Sequence, residues 1–390
     1  MKYLVLKKIN LISALLISSI FFCSGCWDRH ELDSLAIVSG IAFDKNNDGQ
    51  ISSTAQLIDP GQLKSSQEGN KGQGQAFWNV RGTGNTTFDM LRNCTHKSPG
   101  KLLVSHCEVV IFGEDLAKEG IKENLDILVR DFEFRDTLWL LVAEGKGSEV
   151  LETKTRLEKI PAFNISKMVR TQDFNSHAIG VNLHDFTNLA ISPATSAVVP
   201  IIRVDETNNE KFLNISGMAV FDRNLKLISK LNKEESRGLL WVIGKIKTGI
   251  IVVNSPQSNS TASLEILRAS SKITPEIKEN EIEIIVNIKA QSNLGDIQST
   301  ENLLYPEIWN TLNRHQSAAI EHEVGLALDK ARQLNADMFG FGEAIHKKYP
   351  REWKQIEPYW QEVFPTIDVK VQVETKLGMP SMTKDTIKLK

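Results

Sequence analysis

In "IDVKVQVETKL", residues 367–377, Ile367, Val369, Val371 and Val373 alternate with Asp368, Lys370, Gln372 and Glu374. A period of two places the apolar set on one face and the charged set on the other, so the stretch predicts a strand half-buried against a core. Ile282 to Ala290 repeats the pattern more loosely, with apolar residues at the even positions and Glu283, Asn287 and Lys289 opposite. Between the two, Ile308, Leu312, Ile320, Val324, Ala327, Ala331 and Leu334 recur at helical spacing, predicting one long helix from about Pro306 to Asn335. A mostly antiparallel sheet backed by a single long helix accounts for this half of the chain, and the fold class is α+β, with mixed or antiparallel sheets and packed helices.

The earlier half alternates differently. "LAIVSGIAFDKNNDGQISSTAQLID" reads as two strands around a polar turn, and "KLLVSHCEVVIF" as a buried strand. A helix follows it, with Ala117, Ile121, Leu125, Leu128 and Val129 on one face, and then the strand "TLWLLVAEG". Thr86 and Asp89 have capping-box spacing at another helix start, which Pro99-Gly100 ends. "KSSQEGNKGQGQ", residues 64–75, has no core-forming pattern and reads as a loop. The polar segment 203–214 after Pro200 reads as a linker. It would separate an α/β region over 26–202, itself divisible near 155–165, from a C-terminal domain over 215–390.

The precursor carries 46 basic and 48 acidic side chains. That balance argues against nucleic acid and against a polybasic grip on membranes. Its first residues hold Lys2, Lys7 and Lys8, an apolar run from Ile9 to Phe22, then Ser24, Gly25 and Cys26. The run of 14 residues is short for a membrane span and suits a signal-peptide core. A basic head, apolar core and small-small-Cys predict a lipoprotein signal over 1–25, cleavage after Gly25, and a diacylglyceryl thioether with an N-acyl group on Cys26. An uncleaved anchor helix is the competing reading. Two acyl chains hold firmly where one holds reversibly. Removing three lysines takes the formal net charge from −2 to −5. Cys94 and Cys107 remain, and an extracytoplasmic setting permits a disulfide between them.

Fragments that resemble catalytic or metal motifs each lack a necessary residue. "DKNNDG", from Asp44, has Ala55 where an EF-hand loop needs its bidentate Glu. "HEVGL", from His322, has Leu326 in place of the second zinc-binding histidine, and His315 does not restore the spacing. "GLLWVIGKI" is one residue too long for a P-loop and carries Ile246 where Ser or Thr is required. Cys94, His96, His106 and Cys107 match no zinc spacing, and no Gly-x-Ser-x-Gly elbow is present. The expectation is a protein that is not an enzyme, with neither metal nor other cofactor.

Four blocks carry a family resemblance. "GCWDRHELDSLAIVSGIAFD" follows the predicted signal. "SHCEVVIFGEDLAKEGIKENLDILVRDFEFRDTLWLLVAEG", with its Arg130-Asp131 pair, and "GMAVFDRNLKLISKLNKEESRGLLWVIGK" come next. The last is "KARQLNADMFGFGEAIHKKYPREWKQIEPYWQEVFPTIDVKVQV". Together and in this order they resemble the Ger(x)C family, the lipoprotein C subunits of spore nutrient-germinant receptors, over nearly the whole mature chain.

The resemblance implies a mixed α+β fold in three domains and no catalytic activity. It also implies a place on the outer leaflet of the spore inner membrane, beside an A subunit with membrane helices and a transporter-like B subunit. Only Cys26 carries over with a defined chemical role. Trp27, Asp28 and Glu31 lie next to the lipid and are candidate partner contacts, although Trp27 also suits the membrane interface by itself. Asp337, Phe339, Gly340 and Gly342 match the family's loop and are candidates too, set against the simpler expectation of a glycine turn packing its aromatics. The main alternative is a solute-binding lipoprotein, which calls for two similar lobes around a cleft. An envelope hydrolase would need a complete catalytic motif.

Overall fold

The computed structural model describes residues 34–46, 49–64, 74–255, 261–279, 281–297 and 306–378, together with Ser13. Two sheets account for the strands among them, one of nine strands and one of four. The large sheet opens with β1 (Leu35–Lys45), β2 (Ile51–Ile58), the short helix α1 (Pro60–Lys64) and β3 (Phe77–Thr83). Helix α2 (Thr87–Cys94) follows, and Thr86 Oγ1 accepts the Asp89 amide at 3.1 Å as its spacing predicts. The return half of the predicted box goes elsewhere: Asp89 Oδ2 accepts the Asn85 amide.

"KLLVSHCEVVIF" is not one strand. It forms β4 (Lys101–Leu103), a single 3-10 turn (Val104–His106) and β5 (Val109–Phe112), and both strands pair with β1 in parallel. The helix expected after it is also two, α3 (Glu114–Glu119) and α4 (Lys122–Arg130), because Gly120 turns the chain at φ +126°. Val129, assigned to the inner face, is 54% exposed. The order then runs β6 (Trp139–Ala143), α5 (Gly147–Glu152), α6 (Pro161–Thr171), α7 (Leu183–Ile191), β7 (Val198–Thr207), β8 (Glu210–Phe221) and β9 (Leu227–Leu231). β1, β5, β6 and β7 are parallel neighbours. Val109 to Phe112 are fully buried, as a strand covered on both faces must be.

Residues 203–214 form no linker. They are the arms and turn of the β7–β8 hairpin, with Arg203 opposite Asn214 and Thr207 opposite Glu210. Asn208 and Asn209 both take positive φ, at 53° and 63°, as a two-residue type I′ turn needs. The segment is polar because its tip is exposed. The large sheet also runs unbroken past 155–165, since β6 pairs with β7, and past 203–214 to Leu231.

Helix α8 (Lys233–Val242) leads out of this sheet and starts with a complete Asn232/Glu235 capping box. The small sheet comprises β10 (Gly249–Asn254), β11 (Thr261–Lys278), β12 (Glu281–Ile297) and β13 (Asp368–Gly378), in that order. Its first two pairings are antiparallel, but β12 and β13 are parallel. The crossover between them contains the long helix α9 (Pro306–Leu334), and a parallel pair requires such a connection. The quoted stretch at 367–377 is therefore an edge strand, its valines half-buried and its charges exposed. Helices α10 (Phe341–Lys348), α11 (Pro350–Ile356) and α12 (Trp360–Val363) complete the crossover. No helix among the described residues is long and apolar enough to cross a membrane.

Candidate functional site

Two separate polar clusters, one around Glu323 of α9 and one at the predicted loop 337–342, lie where the sheets join. Helix α9 buries Leu312, Gln316, Ile320, Glu323, Ala327 and Ala331 along one stripe. Two of these positions are polar. Gln316 Nε2 donates to Ser292 Oγ at 2.5 Å. Glu323, 6% exposed, receives Arg237 from α8 in a two-pronged pair, Nε to Oε2 at 2.8 Å and Nη2 to Oε1. Trp241 Nε1 donates to the same Oε2 at 2.9 Å. Arg237 Nη1 also donates to the Ile250 carbonyl at 2.8 Å and lies 3.5 Å from His177 Nε2. A paired and hydrogen-bonded guanidinium is the form in which a buried arginine persists.

The knot needs close helices. A Cβ on Gly238 would fall on the Glu323 carbonyl and lie 2.9 Å from Ala327 Cβ, so α8 and α9 touch through glycine. His177 belongs to a segment that grips the chain just before β10. Asp173 pairs with Lys247 at 2.5 Å, and Ser176 Oγ donates to the Thr248 carbonyl. Partial burial and the Arg237 charge hold the His177 imidazole below its usual value, which keeps it neutral near pH 7.

The Asp337 turn makes the second junction. Asp337 Oδ1 accepts the amides of Phe339 (3.0 Å), Gly340 (2.9 Å) and Phe341 (3.2 Å), and Oδ2 accepts that of Gly342 (2.9 Å). These include the free donors at the start of α10. Complete burial pushes the carboxyl up to about 6, against the four amides, which pull it down. The Asp337 carbonyl accepts the Ser196 amide at 2.7 Å, tying the turn to the segment before β7. Gly340 has φ +77°. Gly342 does not need positive φ. It is a contact glycine, whose Cβ would lie 2.6 Å from Ala194 Cβ and 2.7 Å from Trp353 Cη2. Phe339 stacks on Phe341 at 5.0 Å, and both are buried.

Of the candidate partner contacts, Asp337, Phe339 and Gly342 are thus interior and join the two sheets, and only Gly340 is partly open. Cys26, Trp27, Asp28 and Glu31 lie outside the described residues, as do residues 65–73 of the predicted loop. Asp44, first residue of the calcium-like hexapeptide, turns inward and accepts the Gly147 and Ser148 amides at 2.7 and 2.9 Å, capping α5. His322 is exposed, and His315 Nδ1 lies 2.8 Å from the Asn254 carbonyl. Cys94 and Cys107 are separate buried thiols, not a disulfide. Cys94 Sγ sits 3.6 Å from Ser53 Oγ, and Cys107 donates to the Val109 carbonyl. Among the described residues no three His, Cys, Asp or Glu are placed to share a metal ion.

Sequence reasoning passed over Arg237, Trp241 and Glu323. The available signal was a glutamate falling within the apolar stripe of the long helix, which a buried cation must match.

Comparison with known proteins bears on the whole chain. The family model described as "Spore germination protein N-terminal domain" matches residues 28–204, and that described as "Spore germination B3/ GerAC like, C-terminal" matches 216–379. The chain belongs to the Ger(x)C family. Among its relatives, spore germination protein KC of Bacillus subtilis is 27% identical over 97% of both chains. Spore germination protein B3 of the same organism is 25% identical over 90% of this chain and 93% of its own. The crystal structure of the GerBC protein superposes with a TM-score of 0.58 at 19% identity, covering 89% of this chain and 99% of that one. The α+β fold is therefore the family's. The first model ends in β7 and the second begins in β8, on either side of the hairpin tip, so each spans elements of the large sheet.

Proposed function

We propose that the chain is a lipid-anchored, non-catalytic subunit of a nutrient germinant receptor, held by Cys26 on the outer leaflet of the spore inner membrane beside membrane-embedded A and B subunits. The observation that carries this reading is the family match across both halves of the chain, shared with relatives named as spore germination proteins along almost their full length. The internal chemistry agrees with an assembly role. The buried charged groups at the sheet junction are engaged with one another and with backbone, as structural groups are. A tether at Cys26 would raise the effective concentration of the body at its membrane partners. The solute-binding alternative gains nothing from the two sheets, which differ in size and strand order and form no matched lobes.

The test is dipicolinate release from spores lacking this chain, challenged with single nutrients. Loss of response to one nutrient group, restored by the wild-type chain and poorly by Cys26→Ala, is the expected result. Normal germination in a strain also stripped of sister receptors would overturn the reading.

A further inference from the structure

A groove opens between α2 and α4 at the end of the large sheet where the described chain begins. Leu102, Val104 and Phe134 are buried beneath it, Phe88 and Phe132 stand at its rim, and its volume is about 690 Å³. Phe132 is 93% exposed and Phe88 47%. Single exposed apolar residues are ordinary on any surface, but two aromatic rings at the rim of one groove floored by Leu102, Val104 and Phe134 make a patch. The groove is built into the fold: Asn124 Nδ2 on α4 donates to Thr87 Oγ1 on α2 at 3.0 Å, both buried, which fixes the two helices relative to one another.

Most of its charges are already engaged. Arg130 pairs with Asp126 at 2.8 Å, Lys101 with Glu133 at 2.6 Å, and Arg92 lies over the Phe88 ring at 5.1 Å. Three cationic and four acidic side chains line the groove, a net charge of −1. An anionic lipid leaflet finds no attraction there. A flat bilayer surface also does not fill a channel between two helices, whereas a polypeptide bearing one or two bulky apolar side chains does.

The position fixes where such a polypeptide comes from. Leu35 of β1 pairs with Lys101 at the groove, and the Ser34 carbonyl lies so close to Gly100 that no Cβ fits. Only residues 26–33 separate Ser34 from the lipid attachment at Cys26. Eight residues reach at most about 28 Å when fully extended. Ser34, at the edge of the groove, therefore sits within about that distance of the bilayer surface, where membrane-embedded proteins present their loops and helix ends.

We propose that the α2–α4 groove docks an uncharged apolar segment of a membrane-embedded partner subunit, with Phe132 and Phe88 closing over it. This rests on the anchored-subunit reading above. The groove supplies a contact surface in place of the interior residues Asp337, Phe339 and Gly342.

The test uses the full lipidated chain in its own membranes. A photoreactive benzoylphenylalanine replaces Phe132 in one variant and Tyr359, exposed on the far C-terminal region, in another. The expected result is an adduct from position 132 alone, mapped by mass spectrometry to an apolar segment of a membrane-spanning subunit. Phe132→Asp, and separately Phe88→Asp, should lower the co-purified partner at least about tenfold, as loss of an interface hot spot does, with membrane retention and melting unchanged. Adducts to lipid alone, no adduct, or wild-type co-purification of both Asp variants would overturn the groove while leaving the anchored subunit standing. Cys26→Ala separates the two ideas. If that variant stays on the membrane as the wild type does and spores lacking the chain germinate normally, the receptor reading fails and the groove proposal falls with it.

Discussion

Truncating Glu323 should destabilise the protein out of proportion to the size of the side chain. Its carboxylate accepts two hydrogen bonds from Arg237 and one from Trp241. Glu323→Ala leaves the guanidinium, 9% exposed, with only the Ile250 carbonyl and a neutral imidazole nearby. An uncompensated buried charge costs about 3–5 kcal/mol. Arg237→Met strands the carboxylate in the same way and should cost a similar amount. If most of each loss is the penalty on the partner left behind, then Arg237→Met/Glu323→Met removes both charges and costs much less than the sum. The coupling would be at least about 2 kcal/mol, inside the range seen for residues sharing one network. Trp241→Phe deletes one donor to a charged acceptor and should cost about 1.5–3 kcal/mol. The assay is urea denaturation of the full chain in detergent, reading midpoints at unchanged slope. Single variants costing under about 1 kcal/mol, or additive to within about 0.5 kcal/mol, would refute the claim that this pair is desolvated and structural.

Helix contact gives a matched pair of substitutions. Gly238→Ala drives a methyl into the backbone of α9 and should destabilise by about 1–3 kcal/mol. Gly325→Ala, on α9 with nothing within 4 Å of the new methyl, should stabilise by about 0.5–1 kcal/mol; thermal melting distinguishes the two. Asp337 predicts a pH dependence. Its folded value of about 6 lies above the ordinary 3.8, so its contribution is complete below about pH 4 and is lost as pH rises through 6. Subtracting the urea-stability profile of Asp337→Asn from that of the wild type should expose a fall of up to about 3 kcal/mol across that window, and a flat difference would contradict it. Burial raises the Cys94 thiol and pushes Cys107 up to about 12, so neither should react with a thiol reagent at pH 8 until urea unfolds the chain. Rapid reaction of both in the native protein would show that these sites are open.

Local patterns were sufficient for much of the fold. Strict alternation at 367–377 marked β13, and helical spacing from Ile308 to Leu334 marked α9 to within a residue. Both elements bury one face and expose the other, so their periods survive in the sequence. The parallel pairing of β12 with β13 was not legible, because alternation says which residues face the core and nothing about the neighbouring strand's direction. The hairpin at 203–214 was misread for a related reason. Its tip projects beyond the core, and polarity there resembles a linker unless the Asn208-Asn209 turn is recognised.

The site divides along the same line. The sequence by itself determined a family, a candidate anchor at Cys26 and a glycine-aromatic loop at 337–342, since each is a contiguous string whose chemistry is local. Only the tertiary structure decided that Asp337 caps four amides in the interior and that Gly342 is required by Ala194 and Trp353. It alone brought Arg237 to Glu323, and Lys101 and Phe132 to the edge of one groove. Burial and pairing depend on neighbours far along the chain, and a one-dimensional pattern carries no record of which distant side chain satisfies a buried charge.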